Sequence, residues 1–189
     1  MDWANHPGIV QAAAILKKEG VVACPAEGVW GLSCDAWCET AIKRILALKN
    51  RPATKGLILI THNVELLRHL APDLTSDQST QLASSGSENP VTWLIPHSGR
   101  VSTLITGNHP RLAVRIVRHS PIAALCANVG VPLVSTSANP SGFPPSKTME
   151  EVSSYFGTAV DFIAPGQIGN AKGSSEIRDL ITLEVVRNS

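Results

Sequence analysis

Five short apolar runs constrain this chain most. Residues 21–24, 57–60, 91–95, 112–117 and 132–135 are of strand length, and Pro or Gly lies within two residues of each start. Between them lie segments with helical spacing: 7–19, closed by Gly20, then 39–48, 63–70, 75–83, 120–129 and 148–156. Asn63 and Ser120 are N-cap residues, with Pro121 in the first turn after Ser120. Thr148 with Glu151 three residues on spells a capping box. Residues 161–164 and 176–186 supply final strands around a Gly-rich loop at 166–173. The stretches 25–32, 84–90 and 97–109 read as loops, the last of them irregular and basic. Strands and helices alternate, but not strictly. The expected fold is therefore α/β: a twisted, open, mixed sheet with helices on its faces, in one domain over 1–189.

Hydrophobic residues make up 43% of the 189 residues and aromatics only 4%, so the core must be aliphatic. The net charge of +1 gives no global field for nucleic acid or membrane. The distribution says more. Residues 43–55 hold five cations and no acid, and residues 89–149 hold no Asp or Glu at all. If these segments meet, they form a positive cleft in a near-neutral protein. No apolar run approaches the ~18 residues of a bilayer span. The N-terminus lacks a charged region followed by an apolar core, so the expected compartment is the cytoplasm. Cys24, Cys34, Cys38 and Cys126 have neither disulfide-framework nor zinc spacing, and read as reduced, small, buried residues. No protein metal ligand is expected.

The stretch Lys49-Asn50-Arg51-Pro52-Ala53-Thr54-Lys55 joins a helix to a strand. Pro52 stops the helix and Gly56 opens the strand, so the cations sit on a loop with a rigid base. Arg offers a planar fork and Lys a point charge, a combination suited to polyphosphate. Arg115 stands inside an apolar strand, where a cation needs a carboxylate partner or a cleft. The local lack of acids points to a ligand carboxylate or phosphate. Ser135-Thr136-Ser137-Ala138-Asn139 places hydroxyls and an amide where a strand leaves the sheet, a common ligand position in open α/β sheets. No catalytic triad, Walker loop, dinucleotide fingerprint or zincin motif is present. Cations and hydroxyls without a nucleophile fit nucleotidyl transfer, in which positioning and charge neutralisation carry most of the rate.

Together these pieces resemble the YrdC/TsaC family of threonylcarbamoyl-AMP synthases. The likeness rests on Lys49-x-Arg51-Pro52-x-x-Lys55-Gly56-Leu57, Leu112-Ala113-Val114-Arg115, Pro132 through Gly142, and Ser175-Glu176-Ile177-Arg178-Asp179. It implies a YrdC-like fold in its short form. It also implies that L-threonine, bicarbonate and ATP give threonylcarbamoyl-adenylate and pyrophosphate. Partner proteins of the tRNA threonylcarbamoyl-transfer machinery would then use the product. The resemblance makes Lys49, Arg51 and Lys55 the catalytic cations. It makes Arg51, Lys55, Ser137, Asn139 and Arg187 ATP ligands, and Arg115, Ser135 and Ser175 threonine ligands. Mg2+ would be held mainly by the phosphates.

The family usually reads Pro-Thr-x-Thr in its first loop, where this chain has Pro25-Ala26-Glu27-Gly28. The competing reading is a YrdC-like RNA-binding module with little or no catalysis. The scarcity of aromatics makes any such binding electrostatic rather than sequence-specific.

Overall fold

The structure is a computed structural model and describes residues 1–84 and 89–188. Part of the polar loop expected at 84–90 lies outside the described residues. The strands are β1 (Val22–Pro25), β2 (Trp30–Asp35), β3 (Ile58–Thr61), β4 (Val91–Ile95), β5 (Leu112–Ile116), β6 (Leu133–Ser137), β7 (Phe162–Ile163), β8 (Glu176–Asp179) and β9 (Val185–Arg187). The helices are α1 (Pro7–Leu16), α2 (Glu39–Leu48), α3 (Ser76–Ala83), α4 (Thr103–Thr106), α5 (Ser120–Val129) and α6 (Met149–Phe156). Among the described residues the strands form one open sheet in the order β7-β1-β2-β6-β3-β5-β4-β8-β9. It is mixed: β3 runs parallel to β5, and β6 runs antiparallel to both β2 and β3. This is the α/β architecture that the pattern of runs implied.

Strand residues alternate between two cores, as the period of two requires. Ala23, Leu59 and Val134 join the core beneath α2, α3 and α6. Val22, Ile60 and Leu133 join the second core, beneath α1 and α5. Burying each Leu, Ile or Val contributes about 1.5–3 kcal/mol.

That second face is covered over only part of its length. On β6, apolar Leu133 gives way to Ser135 and Ser137. On β3 the change runs from Ile60 back to Ile58, and on β5 from Val117 back to Arg115 and Ala113. Register places Ile58 opposite Ser135 and Ile60 opposite Arg115. One half of the face is therefore sealed by helices, and the other half, polar and charged, is left as a hollow.

Several local expectations are corrected. Residues 25–32 are not all loop: β2 starts at Trp30 and is an interior strand between β1 and β6. Gly31, expected within that loop, serves close packing in the strand. A Cβ there would lie 3.2 Å from Ser135 Oγ and 3.3 Å from the Thr136 carbonyl oxygen. Helix α1 ends at Leu16, and Glu19 rather than Gly20 takes the left-handed position, with φ 64°. The segment expected as a helix at 63–70 holds only a 3-10 turn, Val64–Leu67, capped by Asn63. Pro72 prevents its extension. Residues 176–186 form a hairpin, β8 and β9, rather than one strand. The capping box at Thr148 and Glu151 is present.

Candidate active site

The hollow is a cleft of about 300 Å³. Arg51, Lys55, Arg115 and Arg187 open onto it, as do Ser135, Ser137 and Ser175. The two acid-poor segments thus meet across one cavity. Arg111 also lines it, but is ion-paired with Asp179 at 3.5 Å. Arg118 is turned away and donates to the Ala83 carbonyl at 2.5 Å.

The basic loop is held rigidly. Arg51 donates through Nε and Nη2 to the Gly56 carbonyl at 3.1 and 2.8 Å, and through Nη2 to that of Lys55 at 3.2 Å. Gly56 needs its φ of 62° for the tight exit into β3. The stretch 97–109, expected to be irregular, contains α4, and this short helix buttresses the loop. Leu57 N donates to the Ile105 carbonyl at 2.7 Å, and Asn108 N to that of Thr54 at 3.1 Å. The Lys55 side chain is exposed on this frame and makes no hydrogen bond or ion pair among the described residues.

Lys49 and Asn139 do not reach the cleft, which differs from their expected contact with substrate. Both are buried. Lys49 Nζ donates to the carbonyls of Ser137 and Asn139 at 2.5 and 2.6 Å and lies 3.3 Å from Asn139 Oδ1. Asn139 Nδ2 donates to the Pro140 and Phe143 carbonyls at 3.0 and 2.7 Å. These two side chains brace the turn after β6 and so set where Ser137 stands. Burial, and then the charge of Arg51, pull the Lys49 ammonium down to about 8.

At the other end, Ser175 is buried and its hydroxyl lies 2.6 Å from that of Thr92. Arg187 Nη2 donates to the Ser175 carbonyl at 2.7 Å. Burial lowers the Arg187 pKa, and Arg115 lowers it further; burial and then Arg187 lower that of Arg51. The three guanidiniums therefore form one mutually repelling row, which an anion would relieve.

Arg115 has a carboxylate partner that its own acid-free segment does not contain. Glu27, 1% exposed, places Oε2 3.5 Å from Arg115 Nη2. The acid comes from the loop after β1, far away in sequence. The Cys24, Cys34 and Cys126 thiols are buried and pushed upward by burial, so none of these three offers a nucleophile.

The profile of the Sua5/YciO/YrdC family, described as telomere recombination, matches residues 14–189. A Cellvibrio japonicus protein named threonylcarbamoyl-AMP synthase is 42% identical over 189 residues, all of both chains. A Pseudomonas putida protein of the same name is 44% identical over 179 residues, 95% of this chain and 96% of its own. Among solved structures, P. abyssi Sua5 complexed with L-threonine superposes with a TM-score of 0.83 at 30% identity. The match covers 90% of this chain and about half, 50%, of that longer one. E. coli YciO, at 22% identity and a TM-score of 0.79 over 95% of this chain, shares the fold. With matches of this extent, the chain belongs to the Sua5/YciO/YrdC family.

Proposed function

We propose that the chain is a threonylcarbamoyl-AMP synthase, converting L-threonine, bicarbonate and ATP to threonylcarbamoyl-adenylate and pyrophosphate. The observation that carries this reading is the convergence of Arg51, Lys55, Arg115 and Arg187 on one cleft floored by serines. Full-length identity of 42% to a protein of that name supports it.

The threonine amine and bicarbonate first give a carbamate: an N–C bond forms, a C–O bond of bicarbonate breaks, and water leaves. A carbamate oxygen then attacks the α-phosphorus of ATP. A P–O bond forms, the bond between the α-phosphorus and the bridging oxygen breaks, and pyrophosphate leaves with the electron pair. Arg51 and Lys55 neutralise charge growing on the leaving group. Ser137 and Arg187 complete the nucleotide side. Arg115, with Ser135 and Ser175 nearby, holds the amino-acid carboxylate, so that the carbamate meets phosphorus in line. Lys49 and Asn139 act from beneath, by holding the Ser137 turn.

The cleft's own donors do not make a metal cage. No group of three His, Cys, Asp or Glu side chains gathers among the described residues, and the buried Glu27 is engaged by Arg115. A divalent ion would therefore enter on the triphosphate, whose oxygens suit Mg2+. The adenylate is a reactive mixed anhydride, so a partner that transfers its carbamoyl group to tRNA is the consumer that fits.

Pyrophosphate release, with threonine, bicarbonate and ATP each omitted in turn, tests the reading. Release should require all three. Release that persists without threonine would assign the site to another acceptor.

A further inference from the structure

We infer that Glu27 is a positioning residue: it holds the Arg115 guanidinium in place for the amino-acid carboxylate without consuming its hydrogen-bonding capacity. This role presupposes that Arg115 binds that carboxylate, as proposed above.

Ala26 and Gly28 line the cleft, whereas Glu27 between them sends its side chain behind the wall. There it meets β5 from below. Oε1 accepts the Arg118 backbone N–H at 3.1 Å, which anchors one end of the carboxylate. Oε2 faces Arg115 Nη2 at 3.5 Å. That separation gives Coulomb attraction but is too long for a good hydrogen bond. Glu27 Oε2 and Arg115 Nε are both buried and lack a hydrogen-bond partner among the described residues. A guanidinium saturated by its internal partner would have no fork to offer. This one is oriented by charge, and its Nη groups are not spent in hydrogen bonds to the internal carboxylate, which leaves them for a ligand.

The same residue ties the amino-acid end together through its backbone. The Glu27 carbonyl accepts Ala171 N at 3.0 Å, and the Ala26 carbonyl accepts Gly169 N at 2.9 Å. The Gly-rich loop that leads to Ser175 is thereby pinned to the loop carrying Glu27. Charge also matters. Arg115 belongs to a row with Arg187 and Arg51, and a neighbouring anion lets that row stay assembled before substrate arrives. Exchanging the carboxylate for an amide keeps the shape but presents either a weaker acceptor or a second donor to Arg115.

Glu27→Gln and Glu27→Asp are compared with the wild type in pyrophosphate release. Glu27→Gln should raise KM for threonine about tenfold or more, while KM for ATP stays within about twofold. Glu27→Asp, which keeps the charge, should recover part of the loss. Equal rises in both KM values, or an unchanged KM for threonine in Glu27→Gln, would overturn the inference. A wild type without threonine-dependent release would instead sink the proposed reaction. The coupling is then read in the ligand-free protein from the Arg115 Nε–H NMR cross-peak, assigned by its disappearance in Arg115→Lys. That peak should shift or broaden in Glu27→Gln. An unmoved peak would overturn the inference whatever the activity.

Discussion

Lys49 Nζ donates to the main-chain carbonyl of Asn139 at 2.6 Å, and both residues are buried beneath the cleft rather than within it. The lysine's own carbonyl accepts Ser141 N at 2.7 Å, so the end of α2 and the turn after β6 are joined in both directions. Replacing this lysine should therefore cost fold and activity together. Lys49→Met removes the ammonium donor from the Ser137 and Asn139 carbonyls, and leaves Ser137 only the Asn139 N–H. A stability loss of about 3 kcal/mol is expected in urea unfolding. The rate should also fall, because Ser137 loses its support. Wild-type stability combined with lost activity would put Lys49 in contact with substrate instead.

The same ammonium predicts a pH signature. Its pKa is lowered from 10.5 to about 8, first by burial and then by the charge of Arg51. The unfolded chain keeps this proton until pH nears 10.5, while the folded protein releases it near 8. Between those values the unfolded state binds more protons, so this group's contribution to stability rises with pH. Over the same window the neutral amine has one donor fewer for the turn, and kcat/KM should decline. The stability difference between wild type and Lys49→Met should thus shift in favour of wild type from pH 8 to 10. Parallel stability profiles for the two proteins across that range would contradict the assignment.

Lys49 also shows why part of the site was hard to read. It was grouped with Arg51 and Lys55 because all three are cations in one short stretch. Helical phase separates them. Ile42, Ile45 and Leu46 are the buried face of α2, and the next position on that face is Lys49. The period carried the information, and charge type obscured it. β2 was lost for a related reason. Gly28 and Gly31 suggested a loop, although Trp30, Leu32 and Cys34 alternate with Gly31 and Ser33 at the strand period. The partner of Arg115 was sought among nearby residues, but Glu27 arrives through sheet topology, which no local window contains. By contrast, the apolar runs, the capping box and the two acid-poor segments were legible. Their information is local or compositional, and burial of an aliphatic sheet leaves few other arrangements.

Arg51 and Lys55 should separate cleanly under mutation. The Lys55 side chain is exposed and makes no hydrogen bond or ion pair that holds the loop. Lys55→Ala should change stability by less than about 0.5 kcal/mol. It should lower kcat/KM for ATP by about a hundredfold or more, the scale of losing one transition-state charge contact. Arg51 makes three hydrogen bonds to the carbonyls of Lys55 and Gly56, so Arg51→Ala should lose stability as well as activity. Arg51→Lys should not restore it, because an ammonium cannot reproduce the planar fork. Thermal melts beside ATP titrations distinguish these outcomes. A destabilised Lys55→Ala would mean that its side chain holds the loop.

Gly28 controls how closely the Gly-rich loop approaches the cleft. A Cβ at this position would lie 2.5 Å from the Gly173 carbonyl oxygen and 2.7 Å from that of Ala171. Those are backbone atoms, and they cannot swing aside as a long side chain could. Gly28→Ala must therefore push the segment 171–173 outward. Overpacking of this kind costs about 1–3 kcal/mol. The displacement also carries Ser175 with it, and Arg187 follows through its hydrogen bond to the Ser175 carbonyl. The Ser175 end of the cleft should suffer more than the Lys55 end, since Arg51 and Lys55 are buttressed independently by α4. We expect KM for threonine to rise about tenfold, a larger change than for ATP. Gly28→Ala with an unchanged melting temperature and unchanged KM for threonine would show that the Gly-rich loop can stand away from the wall without cost.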